Sequence, residues 1–138
     1  MEKKTQSNLV FHAGVVILLG MLSGIPMSMV MMGEMSGVVN DWSISHMEGL
    51  INGILMLAVA AAGSLIVLSQ RQEKWFYYFV LITGYGNAFY GWARGITGET
   101  GMGDSTTMGA IVVQVLGGLP VITAFAFVIM LMVGTRKA

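Results

Sequence analysis

The chain has 138 residues, of which 55% are hydrophobic and only 10% charged, and its mean hydropathy is +0.75. A soluble domain carries about 25% charge, so there is too little polar surface here to clothe a globule in water; the chain reads as an integral membrane protein. Seven basic residues balance seven acidic ones and no basic stretch stands out, which argues against nucleic acid as a partner. The absence of cysteine excludes a disulfide scaffold, thiolate metal sites and iron–sulfur clusters.

Crossing the hydrocarbon takes about 20 helical residues. Apolar runs of that size predict helices over about residues 9–32, 47–69, 75–96 and 108–133, within a single membrane domain of residues 1–138. The first run is too long for a signal-peptide core and lacks a small-x-small cleavage site, so it is kept as a helix. Polar and turn residues fill the connectors: Asn40-Asp41, Gln70-Arg71-Gln72-Glu73-Lys74 and Gly101-Met102-Gly103-Asp104. Four helices with short connections imply an all-α, up-down-up-down four-helix bundle. Lys3, Lys4, Arg71, Lys74, Arg136 and Lys137 fall on one side of such a bundle. The positive-inside rule makes that side, and both termini, cytoplasmic. Glu34, Asp41, Glu48, Glu99 and Asp104 fall on the other.

Polar side chains at bilayer depth are costly and so mark candidate sites. In the third helix Asn87, Tyr90, Gly91 and Arg94 follow i, i+3, i+4, i+7 spacing and share one face. With His46 at the outer mouth of the second helix, Asn52 deeper in it and Gln114 in the fourth, they can converge on one cavity in the outer half. Pro26 and Pro120 bend the walls locally. Asn and Gln can equally serve only to bond a neighbouring helix, at about 0.6 kcal/mol each, and Arg94 is near enough to the surface to snorkel.

His12 and His46 lie toward opposite faces, which removes a bis-histidine haem within one chain and leaves a single axial histidine open. Gly49 and Gly53 suit either close helix packing or a flat macrocycle against the backbone; with Arg94 they are the candidate cofactor contacts. Met27, Met29, Met31, Met32 and Met35 cluster at the end of the first helix. Thioethers can take Cu(I), but a cluster covering several helix faces reads better as adaptable apolar filling.

His46-Met-Glu-Gly-Leu-Ile-Asn52-Gly53, with Met56 and Ala58-Val59-Ala60 after it, resembles the second helix of the styrene oxide isomerase family. Gly84-Tyr85-Gly86-Asn87-Ala88-Phe89-Tyr90 resembles the Gly-Trp-Ala-Asn segment of its third helix, and His12, Gly103-Asp104 and Pro120 also have counterparts. Two positions depart: Thr83 stands where the family has an aspartate, and Gly91 where it has a functional tyrosine, Tyr90 falling one step short. The resemblance implies a homotrimer in the bacterial inner membrane with haem b held at a subunit interface by His46 as the iron ligand. It implies that ferric haem acts as a Lewis acid on a small hydrophobic epoxide, giving an aldehyde by ring opening and a 1,2-hydride shift. Asn52 would orient the epoxide oxygen, with Asn87 and Tyr90 beside it. A non-catalytic haem sensor or carrier is the alternative. A small exporter is the third reading, disfavoured because no predicted span has Asp or Glu near its centre.

Overall fold

The computed structural model describes residues 1–102 and 106–136. Four helices dominate: α1 (Lys3–Met31), α2 (Val39–Ala61), α3 (Gln70–Thr97) and α4 (Met108–Thr135), with a 3-10 turn, Ala62–Leu65, closing α2. Among the described residues there is no strand, and the architecture is the expected all-α bundle. The Gly103-Asp104 turn and Lys137 lie outside the described residues.

Every helix but α4 starts well before its predicted limit, because hydropathy marks the stretch suited to hydrocarbon rather than the helix itself. Ser69 caps α3: its hydroxyl accepts from the Gln72 amide while the Gln72 side chain takes the Ser69 N–H, a reciprocal box that starts the helix in a polar sequence. At the other end Gly98 adopts φ +70°, and its N–H returns to the Arg94 carbonyl at 2.8 Å, the left-handed closure that glycine allows at least cost. The largest displacement is in α2. Residues 39–46, expected in a connector, form its first two turns, and residues 66–69 leave the helix.

Three segments, α1, Val39–Leu65 and α4, are long and apolar enough to cross a membrane. The equally long α3 carries the polar stripe and packs between α2 and α4, with α1 also against it. The bundle buries an apolar core, including Leu9, Val16, Met56, Phe76 and Phe127, with the polar Ser23, Asp41, Ser45, Asn52, Thr83 and Thr123 enclosed in it, and leaves Leu18, Met21, Ile25, Ile122, Phe125 and Ile129 exposed. That apolar exterior suits a lipid surround, since lipid welcomes apolar surface and cannot satisfy polar groups.

Glycines set the helix spacing. A Cβ on Gly49 would run into the Gly20 backbone, and one on Gly53 into Ile17, so α1 and α2 meet backbone to backbone. Gly91 lies equally close to Ser45 of α2, and Gly86 takes the Pro120 ring of α4. At the far end the Met1 amino group donates to the Gly63 and Ile66 carbonyls at 3.1 and 2.8 Å. The Val67 N–H donates to the Gly134 carbonyl at 3.2 Å. These bonds gather the N-terminus, the α2–α3 corner and the end of α4 at one end of the bundle.

Gly49→Ala should lower the thermal unfolding midpoint in detergent by the equivalent of about 1–3 kcal/mol, the cost of overpacking a close contact. Gly14→Ala is the control, since a Cβ there meets open space and should cost nothing. Equal midpoints for the two variants would refute the backbone contact.

Candidate functional site

With α2 starting at Val39, His46 sits two turns inside the helix rather than at its mouth. Its Nδ1 is 2.8 Å from the Gly20 carbonyl of α1, and the ring lies where a Cβ on Gly24 would meet it. A carbonyl only accepts, so Nδ1 carries the proton and the lone pair stands on Nε2, which has no partner among the described residues. That is how proteins orient an imidazole for a metal: the outer nitrogen is tied to an acceptor and the inner one left basic. The donor chemistry at His46 therefore fits a haem iron, which Nε2 would hold. No group of three His, Asp, Glu or Cys gathers among the described residues.

His12 differs. Its Nδ1 is 2.8 Å from the Tyr85 hydroxyl, which can give or take the proton, and Phe11, Tyr77 and Tyr85 lie edge-on to its ring.

The expected convergence on one cavity is partial: His46, Asn52 and Arg94 are not among the residues that line it. Six residues along a helix is about 600° of rotation, leaving His46 and Asn52 about 120° apart. His46 faces α1, whereas Asn52 turns toward α3. Asn52 is buried and fully engaged: its amide nitrogen donates to the Glu48 carbonyl at 2.9 Å and the Glu48 carboxylate at 2.8 Å. Its oxygen accepts from Asn87 at 3.0 Å. Asn87, Tyr90, Gln114 and Glu48 then line a cavity of about 390 Å³ between α2, α3 and α4, walled otherwise by residues such as Val113, Gly117 and Val121. Gly117 leaves room for the Tyr90 ring.

Arg94 does not snorkel. It is largely buried and paired with Asp41, its Nη2 2.6 Å and Nε 3.2 Å from one carboxylate oxygen. Nη1 donates to the Tyr90 hydroxyl at 3.1 Å. That hydroxyl, already an acceptor, keeps its own proton free to donate, and the guanidinium charge polarises it. Gly49 and Gly53 are likewise corrected: α1 covers both, so they serve helix packing and offer no bare backbone to a macrocycle.

The two departures from the family pattern have physical accounts. Thr83 is buried with its hydroxyl 2.8 Å from that of Thr123, beside Pro120, a neutral pair joining α3 to α4. Position 91 has no room for a side chain, because a Cβ there would strike the Ser45 backbone; Tyr90 instead points to α4.

Glu48 is the residue the sequence reading missed. Placing the second helix at 47–69 put it at the outer mouth, but α2 runs Val39–Ala61 and Glu48 stands near its middle. The absence of a central acid in any span, the argument used against transport, therefore does not hold. The available signal was the i, i+4 spacing of Glu48 and Asn52, which puts carboxylate and amide on one face.

Compared with known proteins, the chain matches the family model described as styrene oxide isomerase over residues 5–136. No curated protein matches it.

Arg94→Met leaves the Asp41 carboxylate buried without its cation and should destabilise the protein by about 3–5 kcal/mol. Adding Asp41→Asn should recover part of that loss. Thermal unfolding of the two single variants and the double checks it, strict additivity being the result that removes the pairing.

Proposed function

The chain belongs to the styrene oxide isomerase family, and on that premise we propose that it is a membrane-embedded haem b isomerase converting a small lipophilic epoxide to an aldehyde. The observation that carries the reading is the His46 ring, held through Nδ1 on the Gly20 carbonyl with Nε2 left as the basic nitrogen. His46 would hold the iron. When bound, ferric haem supplies a Lewis acid for the epoxide oxygen, a polarisation that can contribute several kcal/mol.

The chain's own residues supply the rest. Asn87 has a second amide N–H beyond the one given to Asn52, and Tyr90 has its hydroxyl proton; both can donate to a substrate oxygen. Asn52, with its donors on Glu48 and its acceptor on Asn87, acts here by fixing Asn87. Apolar wall residues such as Val113 and Val121 would limit the water that could trap an opened ring as a diol. A homotrimer in the bacterial inner membrane, with a fourth span through α3 and both termini cytoplasmic, completes the proposal. The orientation is supported by the gathering of Lys3, Lys4, Arg71, Lys74 and Arg136 around one end of the bundle, following the positive-inside rule; the trimer rests on the family resemblance.

One observation favours a non-catalytic haem protein as the second reading: Asn52 has both amide hydrogens committed to Glu48 and none for an epoxide. The two readings differ in turnover.

An absorption spectrum of the detergent-purified protein, with and without dithionite, tests the proposal. A Soret band should be lost in His46→Ala and kept in His12→Ala; the opposite pattern would remove His46 as ligand. In an epoxide-to-aldehyde assay, Asn52→Ala should keep its haem and lose turnover about ten-fold or more, in line with loss of an orienting hydrogen bond. A bound haem with no turnover of any epoxide in the unaltered protein would leave the non-catalytic reading.

A further inference from the structure

The Glu48 carboxylate has a place in the fold that the isomerase reading does not require. One of its oxygens takes the Asn52 amide at 2.8 Å; the other has no partner among the described residues. Among the described residues no lysine, arginine or histidine lines the cavity it faces. The nearby cation, Arg94, is committed to Asp41 and Tyr90, and that is the single ion pair among the described residues. A carboxylate facing a mainly apolar cavity inside a membrane helix is expensive unless something neutralises it. The described residues bring it no cation, so a proton or a cationic ligand is the remaining source.

We propose that Glu48 makes the α2–α3–α4 cavity a binding site for a small lipophilic molecule bearing a protonated primary amine. The ammonium would sit on the free Glu48 oxygen, with the Gln114 and Asn87 side-chain carbonyls as further acceptors. Val113, Val121 and the open surface at Gly118 take the apolar body. A volume of about 390 Å³ falls within the range of small-molecule sites, about 300–1,000 Å³. The binding claim stands on the cavity alone. The claim about turnover, that the preferred epoxide carries an aminoalkyl group, rests on the isomerase reading.

The probes are benzylammonium and toluene, alike in size and differing in charge, titrated against the detergent-purified full chain by thermal stabilisation. In the unaltered protein benzylammonium should bind at least about ten-fold tighter than toluene, the scale of a charge-assisted hydrogen bond in a desolvated site. Glu48→Gln should bring the ratio close to one. Gly118→Leu is the second variant: Gly118 lines the cavity and a Cβ there meets open space, so leucine adds bulk at the cavity wall without a clash and should weaken binding of both probes while leaving Glu48 in place. Equal binding of the two probes, a preference that survives Glu48→Gln, or no effect of Gly118→Leu would each overturn the site.

Turnover of styrene oxide against its 4-aminomethyl derivative forms the separate arm. A preference for the derivative that Glu48→Gln erases extends the site to the reaction, and a preference for unsubstituted styrene oxide overturns that extension. If neither epoxide turns over while benzylammonium binds through Glu48, the isomerase reading fails and the amine site stands.

Discussion

The close approach of α1 and α2 at Gly20 and Gly49 is the contact on which the rest of the structure depends. Lipid tails are as apolar as leucine, so helices in a membrane gain little by hiding apolar surface from one another. Their association rests on van der Waals contact and on polar groups that lipid cannot satisfy. Where two glycines face each other the backbones touch, and side chains on either side reach the opposite helix. The Gly20 carbonyl that lies against α2 is also the acceptor for His46. Helix packing and imidazole orientation are thus one feature, and a bulkier residue at either glycine would disturb both.

The same economy governs the other face of α2. Gly91 brings α3 onto Ser45; on one side of this crossing Asn87 meets Asn52, and on the other Arg94 meets Asp41. The two polar layers differ in kind. Arg94 and Asp41 neutralise each other, which is the condition under which charges persist at low dielectric. The Asn52–Asn87 pair is neutral but leans on Glu48, whose charge nothing in the described chain cancels. Tyr90 joins the layers, accepting from Arg94 and facing the cavity with its own proton. A site with one rigid paired layer and one unbalanced carboxylate is closed toward the protein and open toward a ligand.

His46 and the Asn87–Tyr90 cavity lie on different sides of α2. A group held at His46 and a substrate in the cavity would have to meet around that helix or across a second copy of the chain. The broad apolar faces of α1 and α4, which leave Leu18, Met21, Ile122 and Phe125 exposed, are where lipid or another copy would lie.

By itself the amino-acid sequence determined the class of molecule, the presence of four helices and the grouping of positive charge at one end. Those follow from composition and from runs of apolar residues, which report on the surrounding solvent one residue at a time. It also marked most of the polar residues that matter, because polarity within an apolar run stands out wherever the chain goes. Tertiary structure decided which of them meet. Hydropathy placed the second helix eight residues late and so sent Glu48 and His46 to the surface. Asp41, read as a connector residue, became a helical partner for Arg94, which was expected to reach for water. Gly49 and Gly53, which by sequence suited helix packing first and a macrocycle second, are covered by α1. In each case the deciding quantity was rotation about a helix axis and the identity of the neighbour across it, and neither is carried by local sequence.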